Sequence, residues 1–244
     1  MNGFVERLKA GEILVADGAT GTNLQKVGLV GGIHTEDWIF DNPDKILDLE
    51  KAFVAAGADI ILTCTFGGTR PRMKAAKHRD RVLEINKRAA QLAVQAAKDF
   101  STPKKPRFVA GSMGPTTKSI TVTGGVTFDQ LIENFKIQTL GLVEGGADIL
   151  LIETSQDTRN IKAATIGIQL ALNELGTIRP VIVSGTIEPM GTMLAGQAAD
   201  ALVVSLAHLP LLAIGLNCAT GPEFMTDHVR TIHEMTDFAI SCYP

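Results

Sequence analysis

Polar and reactive residues stand where several short apolar runs of this sequence end. Glu153 ends one such run, and Cys218 lies just beyond another, beside Asn217. A carboxylate in an apolar run is costly to bury alone, so Glu153 either pairs with a basic group or holds the ammonium of a ligand. Cys218 is either a small core residue or a thiolate ligand of Zn²⁺, which leaves one coordination position open at catalytic sites. In the second interpretation of each residue, the pattern predicts a site that binds an amine and a metal.

A glycine-rich turn follows the first apolar run. Residues Asp17 to Thr22 read DGATGT. Asp-Gly is an ordinary turn signal, but such a loop also exposes backbone N–H groups that bind carboxylates. Glu188 follows a later run and has the same two interpretations as Glu153.

The cysteines and histidines do not show a metal site by spacing. Cys64, Cys218 and Cys242 form no CxxC pair, and His228 and His233 are five residues apart, off the i, i+4 spacing of a shared helical face. Three cysteines do not make a disulfide framework, so a reducing cytoplasm is the expected compartment.

The elements that must position these residues are short apolar runs alternating with longer amphipathic segments. This βαβα order predicts parallel strands joined by right-handed crossovers. The strands are expected at Ile13–Ala16, Asp59–Thr63, Phe108–Gly111, Asp148–Glu153, Val181–Thr186, Leu211–Leu216 and Phe238–Cys242. The main helices are expected at Arg79–Phe100, Phe128–Glu144, Thr158–Leu175 and Glu223–Met235.

The order of these elements favours an α/β barrel over a doubly wound sheet. No GxGxxG follows the first strand, which weakens a dinucleotide-binding fold. A closed (β/α)₈ TIM barrel has eight strands, and seven are predicted here, so the expectation is one incomplete barrel domain over residues 1–244 that lacks its closing segment. In such a barrel the carboxyl ends of the strands carry the active site.

Composition excludes several classes of protein. Of the 244 residues 45% are apolar and 20% charged, with a net charge of −3, which excludes a disordered chain and a nucleic-acid binder that relies on a basic field. No apolar run reaches the about 18 residues of a membrane span. The N-terminus MNGFVERLKAGE lacks the apolar core of a signal peptide, which also favours the cytoplasm.

Taken together, the segments at the strand ends resemble the homocysteine S-methyltransferase domain family. The likeness is closest to the N-terminal homocysteine-binding module of the cobalamin-dependent methionine synthases, and it covers essentially all of the chain. It is carried by DGATGT at 17–22, TCTFGG at 63–68, GSMGPT at 111–116, ETSQD at 153–157, SGTIEP at 184–189, MGTMLAGQ at 190–197, GLNCATGP at 215–222 and SCYP at 241–244.

The resemblance implies a (β/α)₈ barrel that binds zinc through three cysteines and methylates the sulfur of homocysteine. Cys218 matches the first zinc ligand. The backbone from Gly18 through Ala19 to Thr20 is similar to the family's cradle for the amino-acid carboxylate, and Glu153 to the residue that holds the ammonium. Asp17 is similar to a residue that shapes the site.

Two departures from the family pattern affect the metal. The other two zinc ligands of the family lie in a Gly-Gly-Cys-Cys motif, which these 244 residues do not contain. The zinc site is therefore expected to be incomplete, and the chain alone inactive. Cys64 stands where the family usually has Asn, and is either a spare thiol or a neutral substitution.

The implied reaction needs homocysteine as a thiolate, which coordination to Zn²⁺ supplies. The implied methyl donor is methylcobalamin carried by another module, with cobalamin-binding and folate-binding modules in the same or a partner polypeptide. Two alternatives remain open. One is a methyltransferase of the betaine or S-methylmethionine type, and the other is an inactive barrel fragment that serves as a binding or structural module.

Overall fold

The structure is a computed structural model that describes residues 2–118, 120 and 124–244. Helices alternate with strands along the chain, and the six strands follow one another in the sheet in chain order. This sequential order is typical of βα-barrels, whereas doubly wound sheets reverse direction at a switch point.

The element bounds are as follows. The strands are β1 Ile60–Leu62, β2 Phe108–Met113, β3 Ile149–Ser155, β4 Val181–Gly185, β5 Ala213–Asn217 and β6 Ala239–Tyr243. The α-helices are α1 Asn2–Lys9, α2 Thr20–Lys26, α3 Trp38–Asp41, α4 Pro43–Ala56, α5 Val82–Phe100, α6 Phe128–Gly145, α7 Thr158–Glu174, α8 Ala199–Leu206 and α9 Pro222–Met235. Short 3₁₀ turns occupy Thr35–Asp37, Arg72–Ala75 and Arg79–Arg81.

Contacts within the chain define two compact units. The first comprises Met1–Ser112 and Ile137–Leu150, and the second Met113–Lys136 and Leu151–Pro244. The single domain over residues 1–244 stays a prediction.

In the first unit, α5 packs closely on the last turns of α6. A Cβ added at Gly141 would lie 2.6 Å from the carbonyl oxygen of Leu83, and one added at Gly145 would meet the carbonyl of Lys87. Only glycine allows two helices to approach to this distance. On α5 the small side chains of Ala89, Ala93 and Ala96 are fully buried.

In the second unit, local side-chain bonds fix where the helices begin. The Asp157 carboxylate accepts a hydrogen bond from the N–H of Arg159 at 2.8 Å and caps α7. Thr127 and Gln130 form a capping box before α6, since each accepts a bond from the other's backbone N–H. Gly176, with φ of 61°, ends the segment that contains α7. These three boundaries match the sequence prediction.

The predicted first strand, Ile13–Ala16, is not a strand of the sheet. One isolated bridge joins Ala16 to Ile60, and the N–H groups of Asp59 and Ile60 both donate to the carbonyl of Val15. Ile13 is 92% exposed and Val15 57% exposed, so these apolar side chains are not packed on both faces as predicted. The described residues therefore contribute six strands, where seven were expected. No helix among them is both long and apolar enough to cross a membrane.

Candidate functional site

Asn217 joins the ends of three strands in the second unit. Its side chain is completely buried, and its Oδ1 accepts hydrogen bonds from the Thr154 N–H at 2.9 Å and from the Ser184 hydroxyl at 2.6 Å. Its Nδ2 donates to Thr154 Oγ1 at 2.7 Å and to Cys218 Sγ at 3.1 Å. One amide thus uses both its donors and its acceptor to hold the carboxyl ends of β3, β4 and β5 together.

The backbone at this cluster has an unusual conformation. Thr154, Cys218 and Ala219 have φ angles of 53°, 60° and 59°, in the left-handed region that favours glycine. Each such residue costs on the order of 1–3 kcal/mol and persists only where the surroundings hold it. Such strain is typical of functional sites, and here it lies beside the exposed thiol of Cys218.

Glu153 belongs to the same cluster. It is 6% exposed, and Thr154 Oγ1 donates a hydrogen bond to its Oε2 at 3.4 Å. Thr154 Oγ1 also lies 3.8 Å from Cys218 Sγ. The structure thus brings together Glu153 and Cys218, the two predicted site residues of this unit, through Thr154 and Asn217. The residue pattern alone predicts no role for Asn217 or Thr154.

Glu188 has a local partner. Gln156 Nε2 donates to Glu188 Oε1 at 2.7 Å, and the backbone of Glu188 bonds to Thr192 and Gly191 in the turn that follows β4. Of its two predicted interpretations, internal pairing fits this contact, although the partner is a neutral amide.

The predicted carboxylate cradle lies in the first unit. Asp17 Oδ2 accepts a hydrogen bond from the Leu62 N–H at 2.9 Å, which fixes the start of the cradle to the end of β1. Gly18 and Ala19 are exposed, and α2 begins at Thr20. A Cβ at Gly18 would lie 3.2 Å from the Phe53 ring, so a larger residue would push this turn away from α4. The assignment of Asp17, Gly18, Ala19 and Thr20 to substrate binding stays a prediction.

Two buried amides hold the TCTFGG segment in the same unit. Asn86 Nδ2 donates to the Gly68 carbonyl at 2.7 Å, and Gln138 Nε2 donates to the Thr65 carbonyl at 2.9 Å. Both side chains are fully buried. No sequence signal pointed to these two residues, since an amide in the middle of an amphipathic helix usually faces water.

Cys64 does not lie at an open site. It is 3% exposed and packs in an apolar cluster with Trp38, Ile39 and Met73. Burial raises the pKa of the Cys64 thiol well above its usual range, and the carboxylate of Glu36 raises it further. A metal binds the thiolate, so this placement supports the neutral substitution, and the assignment of Cys64 as a spare metal ligand stays a prediction.

Alkylation of the native chain tests this placement. We expect iodoacetamide to modify the exposed Cys218 and Cys242 within a time that leaves Cys64 unmodified, because Cys64 is buried and protonated. Peptide mass mapping measures the three sites in one sample, and the chain unfolded in urea is the control in which all three react. Modification of Cys64 at the rate of Cys242 in the native chain would contradict this assignment.

Cys242 lies on the other face of the sheet from Asn217. In the parallel register Leu216 pairs with Cys242, and side chains paired across parallel strands share a face while successive residues alternate. Leu216 also pairs with Gly185, whose position faces Leu202 of α8. Cys242 is therefore on the helix-covered face of β5 and β6, and Asn217 on the opposite one.

The described residues do not form a complete zinc site. A catalytic zinc has three protein ligands, and Cys218 is the exposed thiol at this cluster. In the part of the chain that the structure describes, no group of three or more His, Cys, Asp or Glu side chains is arranged to hold a metal ion.

Comparison with known proteins places the chain in a family. The family model described as homocysteine S-methyltransferase matches residues 14–244. The chain is 34% identical over 241 residues to a methionine synthase of Mycobacterium leprae, a match that covers 96% of this chain and 20% of that protein. The chain thus spans about a fifth of the length of this relative.

Solved structures share the fold. The homocysteine methyltransferase MmuM from Escherichia coli in its metallated form superposes with a TM-score of 0.83 at 21% identity, over 98% of this chain and 86% of that one. Its apo form superposes with a TM-score of 0.77 at 23% identity, over 97% of this chain and 83% of that one. The match of the family model over almost the whole chain decides the assignment: this chain belongs to the homocysteine S-methyltransferase family.

Proposed function

We propose that this chain is the homocysteine-binding domain of a methyltransferase of the methionine synthase type. It binds homocysteine so that the sulfur receives a methyl group and methionine is formed. The observation that carries the proposal is the Asn217 cluster, in which an acidic side chain and an exposed thiol meet at adjoining strand ends. The family match and the methionine synthase relative support it.

Residues of this chain bind the ammonium and carboxylate groups of homocysteine in the proposed function. Glu153, nearly buried beside Thr154, offers a negative charge to the substrate ammonium in a place where few water molecules compete. The exposed backbone from Gly18 through Ala19 to Thr20 offers N–H groups to the carboxylate, and Asp17 fixes where that turn begins. We propose a (β/α)₈ barrel as the fold of this chain.

The proposed cofactors lie partly outside the described residues. Cys218 is proposed as one zinc thiolate, and the resemblance implies that two further thiolates come from a Gly-Gly-Cys-Cys motif, which these 244 residues do not contain. Methylcobalamin is the proposed methyl donor, carried with a folate-binding module elsewhere in the same or a partner polypeptide. The relation to a methionine synthase five times longer supports this arrangement. The cytoplasm is the proposed compartment.

A second candidate is a homocysteine methyltransferase with a small methyl donor, such as a betaine or S-methylmethionine. The match to the homocysteine S-methyltransferase family supports this candidate equally. The third alternative, a fragment with a purely structural role, predicts that no amino acid binds.

Calorimetry with homocysteine tests the proposed function. We expect homocysteine to bind, and 4-mercaptobutanoate, which lacks the α-ammonium, to bind at least tenfold more weakly, because a charged hydrogen bond contributes about 1.5–3 kcal/mol. Equal binding of the two would show that the ammonium is not recognised. If neither binds, the structural-fragment alternative is favoured.

A further inference from the structure

Glu50 is a buried carboxyl group that the proposed function does not use. It lies in the middle of α4 and is 4% exposed, and neither Oε1 nor Oε2 has a hydrogen-bond partner. An ionised carboxylate without a partner is strongly disfavoured in such a place, and a buried acid keeps its proton instead.

The face of α4 that carries Glu50 packs against the predicted carboxylate cradle. Phe53, one helical turn after Glu50, contacts the turn at Gly18, where an added Cβ would lie 3.2 Å from its ring. Asp17, the residue before that turn, bonds to Leu62 at the end of β1. Glu50 therefore lies behind the segment from Asp17 to Thr20, on a helix that touches this segment directly.

The charges around Glu50 are negative or neutral. Burial raises the pKa of Glu50 well above its usual range, and the Asp17 carboxylate raises it further. The Cys64 thiol, which also interacts with Glu50, is itself kept protonated. Of the basic groups on and near α4, Lys45 is exposed to solvent, Lys51 pairs with Asp99 of α5, and Lys77 pairs with Asp41 of α3.

We propose that Glu50 is a positioning residue that lies uncharged behind the Asp17–Thr20 segment, and that losing its proton at higher pH loosens this segment and weakens binding of the substrate. The protonation of Glu50 is independent of the proposed function, whereas its effect on substrate binding rests on that function. Ionisation would place a second negative charge near Asp17 on a buried side chain without a hydrogen-bond partner, so α4 and the turn at Gly18 would have to separate.

The proton on Glu50 has a consequence for stability. Because its pKa is higher in the folded chain than in the unfolded chain, its contribution is fully present below the unfolded value and is lost as the pH rises through the folded value. Glutamine has the same shape and no proton to lose. The ratio of the folding constant of Glu50→Gln to that of the parent chain is thus expected to rise with pH, by up to about tenfold per pH unit across that window.

Urea denaturation at a series of pH values measures this ratio. The matched control is Asp48→Asn, which removes one carboxylate from the exposed side of the same helix and is expected to give a nearly flat ratio. A flat ratio for Glu50→Gln as well would overturn the proposal. If that variant does not fold, the infrared spectrum of the parent chain with ¹³C-labelled glutamate decides: a protonated carboxyl band that shifts with the label at neutral pH is expected, and its absence refutes an uncharged Glu50.

Homocysteine binding tests the positioning role separately. The ionisation of homocysteine itself affects both chains equally, so the ratio of their dissociation constants isolates Glu50. We expect the parent chain to lose affinity relative to Glu50→Gln as the pH rises. A flat ratio, with the stability ratio still dependent on pH, would overturn the positioning role and leave the proton assignment. Absence of homocysteine binding in both chains at every pH would count against the proposed function and, with it, against the positioning role of Glu50. The stability measurement would still decide whether Glu50 is protonated in the folded chain.

Discussion

Replacing Glu153 with glutamine is expected to weaken homocysteine binding roughly 10- to 100-fold while the chain remains folded. Glutamine has nearly the same volume and still accepts the 3.4 Å bond from Thr154 Oγ1, so the packing at the end of β3 is retained. The substitution removes the negative charge proposed to face the substrate ammonium. Isothermal titration with homocysteine measures the loss, and a urea titration of the variant confirms the fold.

Glu188→Gln is the matched control for this prediction. Glu188 has the same chemistry at the end of the next strand, but its carboxylate is bound by Gln156 in the same unit. We expect this variant to bind homocysteine with a dissociation constant within about twofold of that of the parent chain. Substitutions away from a site usually have small effects on free energies. Unchanged binding in Glu153→Gln, or an equal loss in Glu188→Gln, would contradict the role given to Glu153.

Zinc is expected to stay far below one ion per chain in these 244 residues after dialysis against a chelator. Cys218 is the exposed thiol at the site, Cys64 is buried in the apolar cluster, and Cys242 lies on the other face of the sheet. A single thiolate holds Zn²⁺ only weakly, because water takes the place of each missing protein ligand. Without stable zinc, methylation of homocysteine is expected to be negligible. Elemental analysis of the dialysed protein measures the zinc content.

A longer chain that carries the family's Gly-Gly-Cys-Cys motif is the positive arm of this experiment. It should hold zinc stoichiometrically and methylate homocysteine, and Cys218→Ala should abolish both. Cys242→Ala is the control, and it should leave the zinc content unchanged. Stoichiometric, chelator-resistant zinc in the 244-residue chain would mean that Cys64 or Cys242 is a ligand after all.

The elements with strong local signals were predictable from the sequence. The predicted helices that start at Thr158 and Phe128 begin where the structure places them, because helix starts depend on capping side chains within three residues. The apolar runs from β2 to β5 were also found, since a strand buried on both faces is a continuous apolar run. The run at Ile13–Ala16 has the same composition, but burial is decided by what packs on it, and Val15 remains exposed.

The candidate site was predicted in part, for a related reason. Glu153 and Cys218 stood out because a charged or reactive residue interrupts an apolar run. Asn217 and Thr154, which hold them together, did not, since a polar residue at a strand end is an ordinary turn signal. Glu50 was missed because one carboxylate in an amphipathic helix normally faces water, and only the packed structure shows that this one does not.

The left-handed residues at the Asn217 cluster bear on any attempt to stabilise this chain by redesign. A procedure that scores each residue against its local backbone would replace Thr154, Cys218 and Ala219 with glycine or asparagine, which adopt positive φ at little cost. The redesigned chain would gain stability and lose the thiol and the hydroxyl that the Asn217 amide contacts. Positions at which this chain departs from its own conformational optimum are therefore the ones to leave untouched when a more robust variant is sought.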